Sequence, residues 1–481
     1  MSRSDWKTMI LGMVQAVVKL VLLGAIAIVS WVKLTPYFRL DRNIDGDQMR
    51  NFPKGTIDVL ALGSSHIQYA FNPGVLYART GYYGYVFGSV CQPFSESYYL
   101  LEEVLKTQHP EVVVVDVFTL LPQSQVCYAD GTYYIAMDMM SGETRYAASN
   151  GIPADVDEET VLGYTYDLYM NHDNWKSMDL SQFEEIVKNG SPDDGIAWGL
   201  GYVDQEPEVI QYTPLEVYEP ETVVELSERE KYWIDRFQQL CEEEQIHLIF
   251  VKTPYQEDQA DADKLAGIWK YLKEKKIEYI DFLDLAEELE WFLDMDGDTW
   301  HNNTWGAEIV TNYLSDYIES RKYVRSHQKN EDVERVYIEA SHRTAKYLLD
   351  YKNENIYRLM DEASLYPCMI LFRYQGEATS SIGEYEAEAL NKLGLSHDFL
   401  EDKEEDYYAI VVDGVNIKDD SEPFETIING KTITFTKEDI LIDGASTGQL
   451  GEMQIIFLDE DWEWINPIAI DYASGWFWKK S

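Results

Sequence analysis

The sequence predicts an α/β protein with a parallel sheet, an N-terminal transmembrane helix and a C-terminal mostly-β domain. Three observations carry this. Residues 9–32, from Met9 to Val32, form the one long apolar run. Between residues 56 and 322, short apolar stretches alternate with helical patterns, which implies crossover connections and parallel strands. From Cys368 onward short strands follow one another, punctuated by the turn pairs Asp413-Gly414 and Asn429-Gly430.

At 481 residues the chain has room for two or three domains. Its net charge of −47 and pI near 4.3 exclude nucleic acid and anionic lipid headgroups as electrostatic partners, because no basic patch dominates such a field. The 35 tyrosines and 13 tryptophans suit surfaces that meet sugars, and equally suit cores. Cys91, Cys127, Cys241 and Cys368 lie far apart and in no metal-binding spacing. They allow three disulfide pairings, none favoured by sequence. Cys241 falls in a helical pattern and reads as a buried free thiol.

Taken in order, residues 1–39 read as the membrane anchor. Twenty-four helical residues reach about 36 Å, enough to cross a bilayer with some tilt. Lys19 interrupts the run, with Gln15 one turn earlier. A cleavable signal peptide, cut near Gly24-Ala25-Ile26-Ala27, is the competing reading. The uncleaved anchor is preferred because the apolar run continues past that point. Flanking charge barely distinguishes the two sides, with Arg3 and Lys7 before the run and Lys33, Arg39 and Arg42 after it. Residues 40–55 read as a polar linker.

The α/β pattern begins with a strand at 57–62 that runs into Gly63-Ser64-Ser65. A short helix follows at 73–77, then a strand at 82–87 that ends at Gly88. Residues 95–108 read as a helix with Ser95 as its cap. Val112 to Val115 is a continuous apolar run, as expected of a strand buried on both faces, and leads into Asp116-Val117-Phe118. Residues 120–225 lose the rhythm. They hold Tyr128, Tyr133, Tyr134, Met137, Met139 and Met140, and read as an insertion over the carboxyl edge of the sheet, a lid or substrate platform; an ordinary extra helical layer is the plainer reading. Ser227-Glu228-Arg229-Glu230 is a capping-box signature that opens a helix to about residue 244. A strand at 247–251, a helix at 261–274, a strand at 277–282 and a helix at 284–290 follow. A polar turn with Asp298 and His301 then precedes a helix at 305–320. Residues 323–362 read as a charged helical spacer, and 363–481 as the mostly-β accessory domain, with Trp462, Trp464, Trp476 and Trp478 near its end.

The chemistry centres on Ser65. A strand that stops at Gly-Ser-Ser and turns into a helix puts a hydroxyl at the carboxyl edge of a parallel sheet, where open α/β sheets bind ligands. A serine there needs a base, and the base an orienting acid. Asp298 and His301 lie three residues apart on one loop. Alone, that spacing reads as a surface turn in which Asp298 and Asn303 cap the next helix. Paired with Ser65 it reads as catalytic. His66 adjoins Ser65, but neighbouring side chains diverge on strand or helix, which makes it the weaker base. No metal site and no phosphate loop is expected, and no cofactor. The run Asp294/Asp296/Asp298 lacks the Gly and Glu of a calcium loop.

Gly63-Ser64-Ser65 resembles the first block of the SGNH (GDSL-type) hydrolases, with Ser64 where Asp is commoner, and Asp298-x-x-His301 resembles the last block. The likeness spans roughly residues 56–322. It is greatest to the membrane-anchored branch that includes the D-alanyl-lipoteichoic acid transfer and alginate O-acetyltransferase proteins. The resemblance implies a flavodoxin-like sheet, Ser65 as nucleophile, His301 as base and Asp298 as acid. It implies an oxyanion hole from the Ser65 N–H and Gly88, with Gln92 or another group where the third-block Asn is missing. It also implies an amino terminus inside the cell and a catalytic domain outside it, at the cell membrane. The substrate would be a cell-envelope glycan or teichoic-acid-type polymer, and the partner a multi-span membrane acyltransferase. Ser446 to Gly451 faintly resembles a loop of interleukin-like EMT-inducer domains. A carbohydrate-binding or docking role, or a stabilising cap, is the expectation for the last domain.

Overall fold

The structure, a computed structural model, describes residues 3–38, 45–127, 132–166, 176, 200–205, 213–350, 368–376, 382–402, 404–447, 451–458, 464–471 and 476–479. They divide into two compact units. One comprises Met1–Phe52, Ser89–Thr107 and Val126–Ala197, and the other Pro53–Gly88, Gln108–Gln125 and Trp198–Ser481.

The first unit begins with α1 (Arg3–Phe38), whose stretch Gly12–Ser30 is long and apolar enough to span a membrane and is wholly exposed. This one N-terminal apolar helix is compatible with a signal sequence or a single membrane anchor. Within the stretch expected as a linker, α2 (Asp45–Asn51) forms and buries Met49. Its Arg50 bonds Glu103, which is 3% exposed and also accepts from Lys106, Ser141 and Thr144. Glu103 lies near the end of α5 (Phe94–Val104). That helix is capped at Pro93 rather than Ser95; the Ser95 hydroxyl donates to Glu96 and to the Gly151 carbonyl instead. Helices α6 (Thr132–Asp138), α7 (Gly142–Ala148) and α8 (Glu158–Thr165) complete the described part, with Met137, Met139 and Met140 buried. Within the stretch 120–225, expected as a lid or an extra helical layer, residues 128–131, 167–175, 177–199 and 206–212 lie outside the described residues. Tyr128 lies outside them as well. Cys91 is disulfide-bonded.

The second unit carries the parallel sheet. Its strands are β1 (Val59–Gly63), β2 (Gly84–Gly88), β3 (Val112–Asp116), β4 (His247–Lys252) and β5 (Glu278–Asp281), in the order β2-β1-β3-β4-β5. All four pairings are parallel. Side chains alternate between faces. Val59, Ala61, Val112, Val114, Ile249 and Val251 form one face, against Ala307, Val310, Leu314 and Ile318 of the long helix that follows the His301 turn. Phe250 points to the opposite face and meets Phe237, which lies on α9 (Glu228–Glu244). Both reciprocal bonds of the expected capping box are present at the start of α9: Ser227 Oγ accepts from Glu230 N and Glu230 accepts from Ser227 N. Helix α10 (Gln259–Lys275) leads to β5.

The helix expected at 284–290 does not form. Asp281 Oδ1 caps the N–H of Leu283, and Trp291 N reaches back to Ala286 O, so the segment closes as a series of turns ending at Glu290 with φ of 51°. After α11 (Leu293–Asp296), helix α12 (Thr304–Arg321) provides the packing face described above.

Residues 323–350, expected as a spacer, lie against the α/β domain. The N–H groups of Arg325 and Ser326 donate to Glu111, and His327 Nδ1 pairs with Asp58 Oδ2 at 2.7 Å. In α13 (Glu331–Asp350), Tyr337 OH donates to Gly84 O and its ring stacks on Tyr83. Helix α13 also packs on α4 (Pro73–Thr80). The approach is close at Gly74, where a Cβ would come within 2.8 Å of the Ala340 backbone.

Beyond residue 367 the sheets are antiparallel. A six-stranded sheet runs β15-β14-β13-β6-β7-β8, with β6 (Met369–Tyr374), β7 (Tyr407–Val412), β8 (Val415–Asp420), β13 (Met453–Leu458), β14 (Trp464–Asp471) and β15 (Trp476–Lys479). A four-stranded sheet runs β12-β11-β10-β9 through β9 (Glu425–Ile428), β10 (Lys431–Phe435), β11 (Ile440–Ile442) and β12 (Ala445–Ser446). Both expected turn pairs have positive φ at both residues, as a two-residue hairpin of this kind requires, and Asp443-Gly444 is a third. Cys241 and Cys368 are free and buried, and burial pushes both thiols up to about 12. Trp462 and residues 448–450 lie outside the described residues.

Candidate active site

In an open sheet of order 2-1-3-4-5 the strand order reverses between β1 and β3, and the crevice at their carboxyl ends is the place for a ligand. Gly63, Ser64 and Ser65 occupy one lip, and Asp116 the other. Gly63 has a φ of 151°, and an added Cβ would come within 2.8 Å of Asp116 Cβ. Both facts demand glycine. The chain then enters α3 (Ser65–Gln68) with Ser64 as its cap, the Ser64 hydroxyl accepting from His66 N. Ser65 is thus the first residue of the turn, and its N–H has no partner within the helix.

Across the crevice, Ser65 Oγ lies 2.9 Å from His301 Nε2. The two residues are 236 positions apart in sequence. His301 sits on a turn built by its neighbours. Asp298 N donates to His301 O and Asn303 N to Asp296 O. Asn303 Oδ1 caps α12 by accepting from the N–H groups of Trp305 and Gly306. Gly306 is required, since a Cβ there would lie 2.0 Å from Asp296 O. Asn302 ties the turn to the end of β4 through Pro254 O and accepts from Trp291 Nε1.

Asp298 does not bond the imidazole ring. Its Oδ1 accepts from the backbone N–H groups of Trp300 and His301, at 2.6 and 2.7 Å, and its Oδ2 from Gln205 Nε2 at 3.4 Å. It therefore fixes the backbone that carries His301, and its charge favours the imidazolium. Burial outweighs that charge and holds the His301 pKa below its ordinary value. A neutral imidazole is the form that accepts a proton from serine.

Gly88 stands opposite Gly63 in the strand register, and its carbonyl accepts from Gln68 Nε2 at 3.0 Å. A Cβ on Gly88 would sit 2.8 Å from Gly63 O, so the close approach of the two strand ends dictates glycine here. Gln92 belongs to the other unit. It is fully buried, accepts from Ser89 Oγ and donates to Ser97 Oγ. Of the expected residues, then, Ser65, His301 and Asp298 share one site with Gly88 at its edge, and Gln92 has its amide engaged locally.

The structure adds groups that spacing did not single out. His66 is fully buried; its ring stacks on Phe118 at 3.6 Å and lies 5.1 Å from His301. Burial, with His301 and Lys252 nearby, keeps it well below its ordinary pKa. At the end of β4, Lys252 is buried, donates to Thr253 O and lies 3.5 Å from the centre of the Tyr255 ring. Tyr255 OH donates to Asp261 at 2.5 Å. Burial pushes Asp116 and Glu257 up to about 7, against the pull of Lys252. Asp116 Oδ1, Glu257 Oε2, Thr253 Oγ1 and His66 Nδ1 are buried without a hydrogen-bond partner. The sequence signal for this cluster was modest: a polar residue directly after each of two apolar strands.

Of the acidic run, Asp296 accepts from Phe292 N, and Asp298 is bound as above. Among the described residues no three His, Cys, Asp or Glu side chains converge on a point a metal ion would occupy. No protein-family model matches the chain, and no curated protein matches it in sequence.

Proposed function

We propose that the chain is an extracytoplasmic serine acyl esterase or O-acyltransferase of the SGNH type, acting on cell-envelope polysaccharide or a teichoic-acid-type polymer. The observation that carries this is the 2.9 Å contact between Ser65 Oγ and His301 Nε2 at the carboxyl edge of the sheet. Ser65 Oγ attacks an ester carbonyl as His301 Nε2 takes its proton. The resulting oxyanion is met by the Ser65 N–H and Gly88. Collapse expels the alcohol with the proton from His301 and leaves an acyl group on Ser65. Water or a polymer hydroxyl then gives its proton to His301 and attacks the acyl-enzyme, and His301 returns that proton to Ser65 Oγ as the ester bond to Ser65 breaks. Asp298 stabilises the imidazolium through its charge and through the turn it holds.

The 2-1-3-4-5 order, which is flavodoxin-like, and the motif resemblance support the SGNH assignment. The apolar α1 and the disulfide at Cys91 support a membrane-anchored protein in an oxidising compartment. A multi-span membrane acyltransferase would supply the acyl group. A second reading, a catalytically weak scaffold or glycan-binding protein on this fold, is favoured by one observation: the Gln92 amide is already engaged. Hydrolysis of 4-nitrophenyl acetate by the full chain, beside Ser65→Ala and His301→Ala, separates the two. The enzyme reading expects turnover in the wild type and its loss in both variants. Glycan binding without any turnover would favour the scaffold.

A further inference from the structure

Asp116 is a carboxyl at the end of β3, 1% exposed, with one side-chain partner. Its Oδ2 accepts from Ser64 Oγ at 3.3 Å. The Ser64 oxygen in turn accepts from His66 N, closing the turn whose first residue is Ser65. A second contact runs through the backbone: Gly63 can approach Asp116 so closely only because it lacks a Cβ. Both residues that precede the nucleophile are therefore seated on Asp116.

An ion pair does not account for this carboxyl. The Lys252 ammonium donates to Thr253 O and faces the Tyr255 ring, and no salt bridge joins it to Asp116. The backbone N–H groups of Phe118 and Thr253 lie near enough to favour its charge, but neither completes a hydrogen bond to the second oxygen, Oδ1, which is buried and unpaired. A half-satisfied buried carboxyl is costly, by roughly 1–3 kcal/mol for an unpaired polar atom. An apolar residue at the end of β3 would avoid that cost, so the carboxyl marks a demand other than stability.

We infer that Asp116 is a positioning residue for the Ser65 nucleophile, acting through Ser64. The inference rests on the reading of Ser65 as a nucleophile. The groups around Asp116 are Ser64 from the nucleophile turn, the backbone of Phe118 just after β3, Lys252 at the end of β4 with Thr253 after it, and Tyr255 beyond them. Without the bond, the Ser64 hydroxyl is free to rotate, the cap on His66 loosens, and Oγ of Ser65 leaves its line to His301. Substrate binding away from the nucleophile is untouched, so the loss falls on kcat.

The test compares Asp116→Ala, Asp116→Asn, Ser64→Ala and the Ser64→Ala/Asp116→Ala double variant in the full chain with 4-nitrophenyl acetate. Asp116→Ala is expected to lower kcat about 10-fold or more, with KM held within about two-fold. Asp116→Asn, whose amide oxygen still accepts from Ser64, recovers most of that rate. The double variant is no slower than Ser64→Ala alone, the mark of two groups acting in series. An unchanged kcat in Asp116→Ala, an effect on KM alone, or losses that multiply in the double variant would overturn the inference. Hydrogen exchange at the His66 amide reads the same positioning without chemistry. It should quicken in Asp116→Ala and stay near wild type in Asp116→Asn. A rate unchanged in Asp116→Ala sinks the role of Asp116 whether or not the protein hydrolyses esters, whereas a wild type that neither hydrolyses nor labels at Ser65 sinks the enzyme reading instead.

Discussion

Two buried cations show how differently the two ends of the second unit are built. Arg373, in the antiparallel sheet, is 1% exposed, and each of its three nitrogens donates to an oxygen: Gln454 Oε1 and Lys437 O at 2.5 Å, and Gly451 O. Its planar fork ties β6 to two loops. Lys252, at the carboxyl edge of the parallel sheet, has a single hydrogen bond and an aromatic ring, with Asp116, Glu257 and Asp261 around it. Burial lowers the pKa of both groups. The fully bonded cation serves the fold. The sparsely bonded one sits beside unpaired polar atoms at the edge where Ser65 and His301 meet. Buried polar groups left unsatisfied call for an explanation, and at this edge the neighbouring Ser65–His301 pair offers one.

That contrast can be broken by substitution. Arg373→Met should cost the most stability, about 3 kcal/mol or more, because it strands the buried Gln454 Oε1 and removes the bonds that tie the part-buried Lys437 and Gly451 carbonyls to β6. Activity per folded molecule should stay as in the wild type. A chemical denaturation curve with paired kinetics checks both halves, and a drop in kcat would end this division of labour. Gly306→Ala comes next, at about 2–3 kcal/mol, since its methyl would collide with the Asp296 carbonyl. It should also lower kcat, because the same turn carries His301.

Asp116→Asn sharpens the comparison through pH. The folded carboxyl is raised from 3.8 to about 7, so its contribution to stability is full below pH 4 and is lost as the pH rises through 7. The asparagine variant lacks that loss. Its stability relative to the wild type should grow by about 3 kcal/mol between pH 4 and pH 7. Thermal melts at several pH values would show it, and a flat difference would mean Asp116 is not perturbed by burial. The smallest effect concerns His301. Because burial holds it below its usual pKa, kcat/KM should fall only on the acid side of pH 6.5 and stay level above it until other groups titrate. An inflection at or above pH 7 would place the base elsewhere.

Much of this architecture was legible in the residues. Apolar runs ending in Gly-Ser-Ser and in Asp116 marked strand ends, and the capping box at Ser227 marked a helix start that formed as written. The pairing of Ser65 with His301 rested on residue type, on spacing and on the resemblance of the two motifs to a family pattern. Other features were present in the sequence and went unread. Val333, Val336, Tyr337 and Ala340 fall on one face of α13 and are buried, a helical spacing that points to packing rather than to a spacer. Asp443-Gly444 is a hairpin turn of the same kind as the two that were recognised. The rest was out of reach. Pairing of β3 with β4 brings Asp116 beside Val251, so residues more than 130 positions apart become neighbours at the site. No local pattern announces that. Nor does spacing reveal that the Asp298 carboxylate would turn to backbone N–H groups rather than to the ring of His301.

The central claim is that Ser65 is a nucleophile activated by His301. The most direct measurement treats the full chain with a fluorophosphonate and maps the modified residue by mass spectrometry, alongside His301→Ala. The account predicts a single adduct on the peptide that holds Ser65, formed far more slowly in His301→Ala. An adduct on another serine, or equal labelling of wild type and Ser65→Ala, would contradict it.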